Sequence, residues 1–141
     1  ALALCNRPAP KDEMEAQVSL HHWTAVALLR GRAGVADGVD EVIADPEIAA
    51  LRLRVHPVAD AAIPIDGCDM TVTLADGVKH DVRVRDCIGS RANPMSDRDL
   101  EAKLAALADG VLAKERVDRL VAGIWGIDDV ADASVLARLA S

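Results

Sequence analysis

Met70-Thr71-Val72-Thr73-Leu74, Ala75-Asp76-Gly77, Val78-Lys79-His80-Asp81-Val82-Arg83-Val84 is the stretch that decides the fold class. Two runs of alternating apolar and polar residues flank an Asp-Gly pair, the pattern of a β-hairpin. Side-chain parity then sets the loop length. With a two-residue loop, Leu74 would stand opposite Lys79 and the two apolar sets would fall on opposite faces. A three-residue loop, Ala75 to Gly77, pairs Leu74 with Val78 and collects Met70, Val72, Leu74, Val78, Val82 and Val84 on one side. The expected connection is a type I turn with Gly77 left-handed in a G1 bulge.

Helical patterns lie on both sides. Upstream, residues 12–30 carry Met14, Val18, His22, Ala25 and Leu29 at steps of three and four, ended by Gly31. Leu20, Trp23 and Ala27 occupy other faces, so this helix is apolar around most of its circumference and reads as one surrounded by protein. Asp45-Pro46-Glu47 reads as an N-cap, a first helical residue and a carboxylate at the positive end of the dipole, opening a short helix to about Leu53. Residues 54–60 look extended, with Pro57 confining them to an edge. So does the opening stretch 1–10, which has two prolines and no initiator Met.

Downstream, Ser96 with Asp99 forms a capping box ahead of the stripe Leu100, Leu104, Leu107 and Val111. A helix follows from about Ala113 to Ala122, bracketed by Gly123 and Gly126, and a last one from Asp132 carries Val135, Leu136 and Leu139. The predicted class is α+β: helices flanking a small antiparallel sheet with a β-hairpin, followed by C-terminal helices, as one segment over residues 1–141.

Composition narrows the function. The chain has 141 residues, about one domain. Its only aromatic rings besides histidine are Trp23 and Trp125, so any core is built from Val, Leu, Ile and Ala. The formal charge is −7, from 23 acidic and 16 basic side chains, and the basic residues are scattered. Nucleic acid, which binds through clustered Lys and Arg, is not an expected partner. No apolar run approaches the roughly 20 residues that span a bilayer, so no membrane partner is expected and the location is read as cytoplasmic. Cys5, Cys68 and Cys87 form no C-x-x-C pair and no metal spacing with a histidine; no metal site is expected.

Glu15-Ala16-Gln17-Val18-Ser19, followed by a Trp-bearing helix that ends in Ala27-Leu28-Leu29-Arg30-Gly31, resembles a stretch of the MmgE/PrpD family. Asp45-Pro46, Ile48, Leu51 and Val55 follow in the family's order, then the hairpin with its Asp76-Gly77. Gly89, Pro94-Met95-Ser96, Leu100 and Lys103 are similar to its G-x-x-x-x-P-[LM]-S run and downstream lysine. Together they match the family's C-terminal part, from about residue 13 onward. The resemblance implies dehydratase, decarboxylase or epimerase chemistry on small anionic polycarboxylates, by proton transfer from positioned histidines and lysines. It implies no metal, no iron–sulfur cluster and no other cofactor, a homodimer, and a helical domain that these residues do not contain.

One family position carries over as a candidate catalytic residue: His22 stands where relatives commonly place a cleft-facing Tyr, and an imidazole there can hold a carboxylate or shuttle a proton. The alternative is a core histidine bonded to a neighbour. Ser19, His21 and Lys103 are the candidate substrate-binding side chains. Each also has a plainer reading: Ser19 as a helix-internal hydroxyl without a His-Asp partner, His21 as a packing or rim residue, Lys103 as half of a surface ion pair. The expected function is the C-terminal part of an MmgE/PrpD lyase or epimerase, incomplete as a catalyst alone. The alternative is a non-catalytic module that dimerises or binds a partner through its apolar helix.

Overall fold

In a computed structural model, which describes residues 2–140, the chain forms two compact units, Ala1–Ala62 and Ile63–Ser141. The class is the expected α+β, with helices before and after a two-stranded antiparallel sheet in chain order.

The first unit is helical. After α1 (Leu2–Cys5), the pattern expected to give one helix over 12–30 is divided into α2 (Glu13–Gln17) and α3 (Leu20–Arg30). Ser19 causes the break. Its backbone is extended, with φ −90° and ψ 107°, and its hydroxyl accepts the His22 N–H, so it caps α3 instead of lying inside a helix. Gly31 ends α3 at φ 68°, the left-handed C-cap for which glycine is suited. A 3₁₀ turn (Val35–Asp37) leads to α4 (Asp40–Ile43), and Asp45 caps α5 (Pro46–Arg52) by accepting the Glu47 and Ile48 N–H groups. The N-cap and Pro46 fall where expected. The opening stretch, expected to be extended, makes the single helical turn of α1, and residues 54–60 form no strand.

Helix α3 packs on α5, and α4 bridges α2 and α5. The core between them is small: Ala25, Val26, Val42 and Ile48, with Val39 and Leu51 partly buried against it. The predicted stripe along α3 is only half used. Ala25 is fully buried, but Met14 is 78% exposed and Leu29 46%. Leu20 and Leu28, on other faces, are exposed as well, so this apolar helix is only partly covered.

The second unit opens with β1 (Cys68–Thr73) and β2 (Lys79–Val84), paired from Cys68↔Val84 through Met70↔Val82 to Thr73↔Lys79. The turn is the one that parity demands. The Leu74 N–H donates to the Val78 carbonyl at 2.8 Å, the Gly77 N–H donates to Leu74, and Gly77 sits at φ 85°. On the polar face Arg83 pairs with Asp69, and Thr71 donates to Asp81 at 2.5 Å. The apolar face is only partly covered: Met70 and Val72 are half-buried, and Leu74, Val78, Val82 and Val84 are exposed.

Three helices follow: α6 (Asp97–Ala108), α7 (Lys114–Trp125) and α8 (Ser134–Ala140). The capping box forms as expected, with the Asp99 carboxylate reaching back to the Ser96 N–H at 3.1 Å. Gly123, read from the sequence as the end of a helix, lies inside α7. The neighbouring helix packs close there, and a Cβ would stand 2.7 Å from Leu136 Cδ2 of α8. The actual C-cap is Gly126. Trp125 ties α7 to α6 by donating its indole N–H to Glu101 at 2.8 Å.

Ile48 is the largest fully buried apolar side chain, in a core with few partners to close around a void. Ile48→Ala is expected to cost about 2 to 4 kcal/mol in a urea titration followed by helical circular dichroism. A loss under about 1 kcal/mol would mean that α3 and α5 do not meet as described.

Candidate functional site

The first unit buries five polar side chains, Ser19, His21, His22, Asp37 and Arg52. They touch one another and make one network. Because Ser19 breaks the helix, α3 starts at Leu20 and turns both histidines inward in its first turn. The Ser19 hydroxyl donates to the Arg7 carbonyl at 2.6 Å while it accepts from the His22 N–H, so its proton is committed.

The ring of His22 is fully buried. Its Nε2 lies 2.8 Å from the Asp37 carbonyl oxygen, and its Nδ1 lies 3.3 Å from Arg52 Nη1. A carbonyl only accepts and a guanidinium only donates, which assigns the proton to Nε2 and leaves Nδ1 as the acceptor. The Trp23 ring meets this imidazole edge-on, centroids 5.2 Å apart, and its indole N–H donates to the Gln17 carbonyl. His21 is held at both ends too, with Nδ1 3.1 Å from the Arg52 carbonyl oxygen and Nε2 2.8 Å from Asn6 Oδ1.

Asp37 is 2% exposed and carries the negative charge of the network. Burial by itself would push its carboxyl up. A 2.6 Å hydrogen bond from Arg30, the Gly34 N–H and the charges of Arg32 and Arg30 outweigh that, and the carboxyl lies below the usual carboxylate range. Arg52 is 6% exposed and its surroundings differ. Nη2 donates to the Ile43 carbonyl at 3.0 Å, Nη1 to His22, and Nε has no partner among the described residues. Burial draws this guanidinium below its ordinary range. A buried cation without a counter-ion is costly, commonly several kcal/mol.

Of the sequence-derived candidates, the fold brings Ser19, His21 and His22 into this one cluster. Lys103 belongs to the second unit, exposed on α6 and without an ion pair among the described residues. Asp37, Arg52 and Asn6 complete the network, and sequence reading passed over all three. Asp37 sat in a glycine-bearing stretch that looked like plain loop. Arg52 sat in Leu51-Arg52-Leu53-Arg54, where nothing separates a buried arginine from a solvated one. Among the described residues, no three His, Cys, Asp or Glu side chains gather as metal ligands would. No helix is long and apolar enough to cross a membrane.

Residues 1–127 match the model of the MmgE/PrpD C-terminal domain, and the chain belongs to that family. It is similar to the cis-aconitate decarboxylases of Mus musculus, 31% identical over 139 residues, and of Homo sapiens, 31% identical over 138 residues. Each alignment covers 95% of this chain, but only 28% and 29% of those relatives. A 2-methylcitrate dehydratase of Cupriavidus necator is 40% identical over 81 residues, 51% of this chain and 16% of that protein. The chain thus spans less than a third of the length of the curated relatives that it matches.

Asp37 generates a pH dependence. Its folded carboxyl lies below the unfolded value of about 3.9, so the unfolded chain takes up the proton first. The stability from Asp37 is therefore present above about pH 4 and is lost as pH falls through the folded value. Asp37→Asn is expected to lower stability at neutral pH by about 1 to 3 kcal/mol and to flatten the decline below pH 4. Denaturant titrations of both chains at several pH values measure this, and parallel curves would contradict it.

Proposed function

We propose that this chain is the C-terminal part of an MmgE/PrpD-type lyase or epimerase acting on small polycarboxylates, and that alone it is an incomplete catalyst. One observation carries the reading: the chain matches the family's C-terminal domain and only 28% and 29% of the length of the cis-aconitate decarboxylases. The names of the relatives give the substrate class, since cis-aconitate and 2-methylcitrate are both small polycarboxylates. The partial exposure of Leu20, Leu28 and Leu29 on α3 supports incompleteness, because apolar side chains in that number ordinarily meet another protein surface.

In this reading His22 is the acid–base candidate, with Ser19, His21 and Lys103 as the substrate-binding candidates. His22 starts with no free nitrogen, so a role in proton transfer requires its longest bond, the 3.3 Å contact with Arg52, to open. The other polypeptide surface required is the helical part of such an enzyme or a second copy of the chain.

A second reading, a non-catalytic interaction module, draws on the partly covered apolar face of the hairpin. Two measurements separate them. Assayed alone against cis-aconitate, 2-methylcitrate and iminodisuccinate, the chain is expected to give no turnover, and rates comparable to those of complete relatives would overturn the proposal. Light scattering behind size exclusion reports the mass; a tight, inactive homodimer would favour the interaction module.

A further inference from the structure

We propose that Arg52 is an anion-binding residue whose counter-charge is a small di- or tricarboxylate ligand. Arg52 is only 6% exposed, yet the two bonded partners of its guanidinium are neutral, the Ile43 carbonyl and the His22 imidazole. Neutral acceptors on two nitrogens do not offset a full charge where water is scarce. No carboxylate of the described residues forms an ion pair with it. Asp37, the other buried charge, is already held by Arg30, the Gly34 N–H and Arg32.

The geometry also points to the ligand's chemistry. The unpartnered Nε–H lies beside the Nη groups, and an Nε–Nη edge is the planar, two-donor surface that takes a carboxylate in bidentate fashion. Three guanidinium groups, of Arg30, Arg32 and Arg52, serve this network against the single carboxylate of Asp37, which leaves it electropositive within a chain of formal charge −7. A ligand carboxylate on Arg52 competes with the 3.3 Å donation to His22 Nδ1, so binding would release that nitrogen beside the bound anion.

The inference rests on the reading of the ligands as small polycarboxylates, and it is tested without turnover so that the two fail separately. Thermal melts of the intact chain are recorded in malonate, tricarballylate and chloride at matched ionic strength, for the natural sequence, Arg52→Met and Arg52→Lys. The natural chain is expected to melt about 5 °C or more higher at a hundredfold excess of tricarballylate over its Kd. Arg52→Lys keeps part of that rise. Arg52→Met loses it, and without ligand melts lower than the natural chain, because the buried acceptors His22 Nδ1 and the Ile43 carbonyl lose their donor. The absence of a saturable rise, an equal rise in Arg52→Met, or, should Arg52→Met fail to fold, an undiminished rise in Arg52→Lys would each overturn the proposal.

Discussion

The contact between the Arg52 guanidinium and the imidazole of His22 is the interaction on which the first unit depends. Through its side chain Arg52 reaches His22 on α3 and the Ile43 carbonyl at the end of α4, and through its own carbonyl it meets His21. One residue at the end of α5 therefore sets the spacing of three helices. The apolar core beside it, Ala25, Val26, Val42 and Ile48, is too small to fix that spacing by volume alone. Polar bonds in a poorly hydrated place are directional, and they supply the register that a few small side chains cannot.

The rest of the architecture follows from a shortage of large side chains. With only two tryptophans and no Phe or Tyr, each helix buries small contacts and leaves others uncovered. The hairpin has the right alternation and the right turn, but its apolar face is only partly covered, and Leu100, Leu107 and Val111 are exposed as well. Under the proposal that the chain is part of a larger enzyme, these surfaces are intelligible as halves of interfaces.

Local signals were the legible ones. The N-cap at Asp45, the capping box at Ser96 and the parity of the Asp76-Gly77 loop each depend on a few neighbouring residues, and each appears as the sequence implies. Tertiary contacts decided the rest. Ser19 breaks a long helical pattern because its hydroxyl finds the Arg7 carbonyl, twelve residues away in sequence, as well as the His22 N–H. Gly123 lies inside α7, where Leu136 of α8 comes close to the space a Cβ would take. His22 was singled out by resemblance, but its partners Asp37 and Arg52 were invisible, since burial of a charged side chain leaves no mark on periodicity. Half of the buried network was thus readable in advance, and the half that orients it was not.

In the proposed chemistry on a polycarboxylate His22 is the base and Arg52 the cation that meets the substrate's charge, and the tautomer of His22 couples the two. Nitrogen-15 NMR of the histidine rings near neutral pH tests this link most directly. The account predicts His22 as a neutral imidazole with its proton on Nε2 and an unprotonated Nδ1 whose resonance moves when Arg52 is replaced by Met. A proton found on Nδ1, or an Nδ1 resonance indifferent to residue 52, would contradict it.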